Sequence, residues 1–405
     1  MAVPKLRFRA NDGSEFPEWK EKTLGEITQK VVRKADDKSM ADVRMISQGN
    51  GFILQSKKYS RENAGKSLKK YTLLKKNEFA YNHGASKVKP YGVCYRLIES
   101  DETRVPYVYH TFRLKNGNED YWNYALNTSE MDKQLKKMVS SGVRMDGLLN
   151  INYETYMSVK VLIPSLPEQR KIADLLSAVD DVISAQEAEV AAWEKRKKGV
   201  MQKLFSQEVR FKADDGSEFP EWKEKTLGEI CEQLKASIDP RNNPTKQFIE
   251  YSMPAYDNHM AAQAVLGQSM NSARKILSAP CVLINKLNVR KRRIWVVEYP
   301  EDNAVCSSEF VPLTSTEFDL RFLGYLAMTD SFTGYLLDCS SGSSNSQKRV
   351  TPDTILQYLV SLPSLSEQRK IADCLTSLDD VIAKAKDELD AWQELKKGLL
   401  QQMFV

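Results

Sequence analysis

Four consecutive cations, Arg290, Lys291, Arg292 and Arg293, and the polar residues Ser343, Ser344, Asn345, Gln347, Lys348 and Arg349 are the side chains best suited to chemistry in this 405-residue chain. That chemistry is recognition of a polyanion. Arginine and lysine neutralise phosphates, while serine, asparagine and glutamine can hydrogen-bond to base edges, Asn and Gln pairing well with adenine. A second basic block spans residues 57–96, where eleven Lys or Arg accompany two Glu. Lys87 and Lys89 from this block, and Arg144 from a later polar loop, complete the set expected to touch DNA directly. Lys66, Lys69, Lys70, Lys75 and Lys76 would add to the field or meet phosphates without choosing bases. The whole chain has a net charge of only +5, so both patches are local. Taken singly, each of these residues reads equally well as a solvated surface charge.

Little else in the chain suggests a reaction. The tripeptide Gly65–Lys66–Ser67 resembles the end of a phosphate-binding loop, but Ser60 stands where that loop needs its first glycine. No GxGxxG follows a strand pattern, and no Asp/Asn-Pro-Pro-aromatic run is present to hold a flipped base. The six cysteines are scattered without a CxxC and read as buried free thiols. Three histidines, His83, His110 and His259, make no metal-ligand spacing. No stretch approaches the apolar length of a membrane span, and the N-terminal residues lack a secretory apolar core, so the expected compartment is the cytoplasm.

The elements that would carry these side chains are organised by two internal repeats. Residues 163–205 (IPSLPEQRKIAD…KRKKGVMQKLF) recur as residues 362–404 (LPSLSEQRKIAD…ELKKGLLQQMF), at a constant offset of 199 positions. Each copy reads as a long helix opened by a capping box, Ser165 with Glu168 and Ser364 with Glu367. Apolar residues recur at three and four: Ile172, Leu175, Val179, Val182, Val190, Trp193, Val200 and Leu204, then Ile371, Leu375, Leu378, Val381, Leu389, Trp392, Leu399 and Met403. That is a coiled-coil seam, weaker in the middle at Gln186 and Ala385, and each helix needs a partner to cover it. The second repeat is LRFRANDGSEFPEWKEKTLGEI at residues 6–27, matched by VRFKADDGSEFPEWKEKTLGEI at residues 209–230. Asp12–Gly13 and Asp215–Gly216 read as tight turns.

Between the repeats lie 135 and 131 residues, ordinary domain sizes, with diverged sequences and a shared skeleton. Residues 71–82 and 274–285 both read as strand, turn, strand, each followed by a basic loop. A helical stretch ending in Ser-Ser-Gly follows in each (140–142 and 340–342), then a polar loop and a short strand leading into the long helix. The C-terminal QQMFV could run into the N-terminal segment in the register in which the first helix runs into its repeat. The expected fold class is mixed α/β (α+β): two globular domains separated by two long helices forming an antiparallel coiled coil, with an internal pseudo-two-fold. The expected parts are 1–163, 164–207, 208–362 and 363–405.

The duplicated PSLPEQRKIAD motif, the LGEI segment before each variable domain and the layout of the whole chain resemble the specificity subunit of type I restriction-modification systems. The resemblance implies two target recognition domains, each reading one half of a bipartite, asymmetric site in double-stranded DNA. It implies that the paired helices set the gap and dock two modification subunits, which bind S-adenosylmethionine and methylate adenine, and that restriction subunits using ATP and Mg can join. No cofactor is expected in this chain and no catalysis by it. Two other readings remain open: a coiled-coil scaffold that binds DNA loosely, and an enzyme whose chemistry lies hidden in the variable domains.

Overall fold

The computed structural model describes residues 4–35, 41–58, 65–84, 89–139, 151–342, 344 and 347–404. The chain forms two compact units. One combines residues 1–187 with 387–405, and the other is the continuous stretch 188–386. Each unit therefore contains a globular part, one half of the first long helix and one half of the second.

The long helices run Leu166–Phe205 and Leu365–Met403, the first roughly 60 Å in length. Within the first unit they run antiparallel. Lys396 pairs with Asp180 at 2.5 Å, and Met403 and Phe404 are buried in one cluster with Ile172 and Leu176. Within the second unit Lys197 pairs with Asp379 at 2.5 Å and Lys386 with Glu194 at 2.7 Å, while Leu204 packs in the cluster of Ile371 and Leu375. Each unit ties its helix pair to its globular part in the same way. The Tyr124 hydroxyl donates to Asp180 (2.6 Å), and the Tyr325 hydroxyl donates to Asp379 (2.8 Å). The seam departs from the expected one at Val381, which is exposed, because neighbouring Ile382 takes the buried position.

The capping boxes expected from Ser165/Glu168 and Ser364/Glu367 do not close: Ser364 Oγ accepts from the Glu367 N–H (3.4 Å), but neither glutamate bonds back to its cap residue. Both glutamates are fully buried and turn to the other repeat. Glu168 accepts from Arg7 Nε and Nη2, both at 2.9 Å, and from Trp19 Nε1 at 3.0 Å. Glu367 accepts from Arg210 Nε (3.1 Å) and Nη2 (2.9 Å) and from Trp222 Nε1 (3.0 Å). The next residue is equally engaged. Gln169 accepts from the Asn118 N–H, and Gln368 from the Asp319 N–H, each at the start of a domain helix (2.9 Å in both). The Glu-Gln pair thus fastens both the entry segment and the globular part to the head of the long helix. The capping boxes that do form are Thr23/Glu26 and Thr226/Glu229, on the short LGEI helices. Replacing Glu168 with Ala removes three charge-assisted hydrogen bonds and leaves Arg7 only its bonds to Phe16 O and Pro17 O. We expect a loss of roughly 3 kcal/mol, read as a lower urea midpoint for the first unit, with Glu168→Gln intermediate.

The chain ends meet as the repeats require. In the second unit the Val209 N–H donates to Lys203 O within continuous chain (3.3 Å). In the first, the equivalent Leu6 N–H donates to Gln402 O across the chain ends (3.1 Å).

Each globular part has its own four-stranded core sheet, built in the same order. In the first unit its order is Thr28–Lys30, His110–Leu114, Phe79–Asn82, Val93–Arg96; in the second it is Glu232–Gln233, Phe310–Thr314, Cys281–Asn285, Ile294–Val297. All pairings within it are antiparallel. A further sheet of five strands completes the second unit, and two strand pairs, Arg44–Ser47 with Gly51–Leu54 and Thr72–Lys75 with Glu102–Val105, lie in the first. The short strands expected before the long helices, Lys160–Ile163 and Leu359–Leu362, pair with Lys20–Thr23 and Lys223–Thr226. The single helical stretch expected in each domain is two helices. They are Glu119–Ala125 then Ser129–Met138, and Leu320–Ala327 then Asp330–Asp338, broken where Thr128 and Thr329 cap the second helix.

Ser340–Gly342 lies beyond its helix, which ends at Asp338 with Cys339 as its C-cap, so it is not the cap expected of it. Residues 140–142 lie outside the described residues. All six cysteines are free. Cys94, Cys231, Cys281 and Cys306 are buried, Cys374 is half-buried, and Cys339 is exposed, against expectation. No described helix is long and apolar enough to cross a membrane.

Candidate nucleic-acid interface

In the second unit the expected contact residues that are described gather at one end of the core sheet. Strand Cys281–Asn285 is buried throughout. It leads into the basic loop 286–293, which returns as Ile294–Val297. Buried Asn285 closes the base of this loop: its Nδ2 donates to Leu287 O (2.9 Å) and its Oδ1 accepts from the Arg293 N–H (3.0 Å). Asn288 sits in the left-handed region, φ 53°, which asparagine tolerates.

The four consecutive cations divide into two pairs. Arg293 is buried and donates through Nε and Nη2 to Asp257 at 2.8 and 2.6 Å. These bonds hold the Asp257 carboxyl below its usual range. Arg292 donates to Met328 O at 2.8 Å and pairs with Asp330. Both guanidinium groups hold the loop to the body of the domain. Arg290 and Lys291 are exposed.

The second predicted loop docks on the first. Arg349 bridges Leu287 on one side and Ser341 on the other. The Asn288 N–H donates to Lys348 O (2.7 Å), and the Val350 N–H to Lys286 O (3.0 Å). Gly342, at φ 145°, passes so close to the returning chain that an added Cβ would lie 2.7 Å from Gln347 O. Ser344 and Gln347 are exposed and joined by a backbone bond at 3.0 Å, and Lys348 is half-buried. Arg349 is half-exposed and donates to Glu309 Oε1 at 2.9 Å. Ser343 and Asn345 lie outside the described residues. Burial lowers the pKa of nearby Lys275, and Lys286 adds to the effect, while Glu309 opposes it.

In the first unit, Lys87 and Arg144 lie outside the described residues. Lys89 donates to Asn127 O (3.0 Å) and lies 4.0 Å from Asp132. Burial raises the Asp132 pKa, and Lys89 opposes that rise.

An aromatic stack not expected from the sequence lies on this unit's core sheet. The rings of His83 and His110 stack at 4.9 Å, and those of Tyr81 and Tyr156 at 3.9 Å. His83 Nε2 lies 3.0 Å from Val108 O and His110 Nε2 2.9 Å from Ile151 O, so these nitrogens carry protons. Burial pushes the His110 pKa down, favouring the neutral ring. The stack anchors the chain at His83 and, through His110, at Ile151. The alternation of aromatic and His residues in FAYNH, residues 79–83, was the available signal. Among the described residues, no group of three or more His, Cys, Asp or Glu could hold a metal ion.

Comparison with known proteins bears on both units. The family model described as "Type I restriction modification DNA specificity domain" matches residues 17–192 and again residues 220–391. The chain is 23% identical over 292 residues to the MjaVIII type I restriction enzyme specificity subunit of Methanocaldococcus jannaschii, covering 66% of each. It is 22% identical over 188 residues to the HindI specificity subunit of Haemophilus influenzae, covering 46% of this chain and 41% of that one. The matches thus span less than two thirds of these curated relatives' own lengths. The fold is similar to that of the crystal structure of a type I restriction-modification S subunit from M. genitalium, with TM-score 0.57, 16% identity, and coverage of 100% of this chain and 99% of that one. A chain from a structure of type I system assembly and conformational transition gives the same TM-score, 0.57, at 14% identity, covering 96% of this chain and 98% of that one. With its domain matched twice over most of its length, this chain belongs to the family of type I restriction-modification DNA specificity subunits.

Proposed function

We propose that this chain is the non-catalytic reader of a type I restriction-modification complex. Each globular part takes one half of a bipartite, asymmetric site in double-stranded DNA. Residues 1–163 and 208–362 are the reading parts in this proposal; residues 164–207 and 363–405 set the gap and dock two modification subunits. S-adenosylmethionine belongs to those subunits, and ATP and Mg to restriction subunits that join them. The cell compartment that goes with this role is the cytoplasm.

The observation that carries this reading is the convergence in the second unit. The loop 286–293 and residues Ser341, Lys348 and Arg349, distant in sequence, are hydrogen-bonded together at the end of the core sheet, where Arg290, Lys291 and Arg349 face solvent. A sheet of the same order in the first unit carries different loops. Like scaffolds with unlike loops suit two unlike half-sites. Arg290 and Lys291 serve phosphates, Ser344, Gln347 and Arg349 reach base edges, and Arg292 and Arg293 brace the loop.

Footprinting with the modification subunits tests the proposal. It expects two protected half-sites with a fixed gap. Replacing Arg290 and Lys291 with Ala should weaken binding across all sequences and reduce the salt slope by roughly 2. Uniform binding without half-sites would favour a loose scaffold instead, and methylation by the isolated chain would favour a hidden enzyme.

A further inference from the structure

Glu309 is an unexpected residue at the end of the sheet where the two loops meet. Its backbone O accepts from the Lys286 N–H at 2.9 Å, which places it beside the root of the basic loop. Arg349 pairs with its carboxylate at 2.9 Å, and the charge of Lys275 interacts with it as well. A carboxylate at a surface that meets phosphates weakens binding by repulsion, so its presence calls for a compensating task.

Its contacts indicate that task. Glu309 Oε1 accepts from Arg349 Nη2, and Oε2 is shielded from solvent with no hydrogen-bond partner among the described residues. Arg349 is also the best-fixed exposed cation of the cluster. Its N–H donates to Ser341 O (2.8 Å), and its O accepts from the Ser341 N–H (3.0 Å). Leu287 flanks it on the other side. Arg290 and Lys291 make no ion pair among the described residues. A phosphate contact tolerates a mobile side chain. A bidentate contact to the O6 and N7 of guanine needs a planar fork held in advance. One bond to Glu309 uses one of the five guanidinium donors and leaves four.

We propose that Arg349 reads a guanine in the half-site taken by the second unit, and that Glu309 is the positioning residue that orients its guanidinium. This rests on the reading given under the proposed function. It adds the base recognised and a residue outside the basic and polar loops.

The test is base discrimination by the assembled complex with its modification subunits, measured on the parent target and on every single-base variant of both half-sites. Arg349→Lys keeps the charge and loses the fork. It should lower discrimination at one guanine of one half-site by roughly 5- to 100-fold, leaving the other half-site and the gap unchanged. Glu309→Gln, close in shape, should relax the same position by about 3- to 10-fold with an unchanged salt slope. Full discrimination in Arg349→Lys, or a loss shared evenly by all sequences, would overturn the proposal. So would a Glu309→Gln effect that is uniform across sequences, the mark of a merely structural role. A parent complex without half-site preference would instead sink the underlying reading, before any variant is compared.

Discussion

A fragment ending at Gln207 pairs with itself and, with its modification subunits, directs methylation to a palindromic site built from the first unit's half-sequence. The first unit contains residues 387–405 as well as 1–187, so the fragment lacks part of its own unit. A second copy supplies the missing part, because residues 188–206 are its repeat. Lys197 corresponds to Lys396, which pairs with Asp180, and Lys197 makes the same contact to Asp379 in the second unit. Leu204 and Phe205 correspond to Met403 and Phe404, which pack in the first unit's core. The bond from the Leu6 N–H to Gln402 O is already made between chain ends, so a second chain can supply it too. Sedimentation should give twice the fragment's mass. The change in target is complete, not graded. Activity retained on the original asymmetric site would contradict the pseudo-dimer.

A seven-residue insertion after Glu187, matched by the same insertion after Lys386, lengthens the gap and leaves both half-sites alone. These positions are the boundaries between the two units. The insertions therefore leave the Lys396–Asp180 pair of the first unit and the Lys197–Asp379 pair of the second intact. Seven residues are one heptad, so the apolar seam keeps its phase. They add roughly 10 Å of helix, about three base pairs at 3.4 Å each. A methylation map in which half-site bases change while the gap stays fixed would contradict the helices' role as spacer.

Much of this architecture was legible in the sequence because it is local or repeated. The heptad pattern marked the long helices, the 199- and 203-residue offsets marked the duplication, and the strand-turn-strand patterns at 71–82 and 274–285 fell on real strands. The misreadings come from partners far apart in sequence. Ser165 and Glu168 have capping-box spacing, but a buried carboxylate 161 residues from Arg7 and 149 from Trp19 finds stronger donors there than a backbone N–H. The same distance hid the division of the basic run. Nothing in Arg-Lys-Arg-Arg says that Arg293 will meet Asp257 and Arg292 will meet Asp330. Glu309 went unnoticed because a lone glutamate after two serines has no motif. The break between the domain helices did have a signal: Thr128 and Thr329 each precede an acidic first turn.

The central claim is that two unlike reading parts sit on one chain with a fixed spacer. Mapping the methylated adenines in DNA from cells that carry this chain with its modification subunit tests it most directly. The expected result is a single asymmetric motif, two short specified halves around an unspecified gap of constant length, with a methylated adenine in each half. A continuous motif, a palindrome from the intact chain, or methylation without a sequence preference would contradict it.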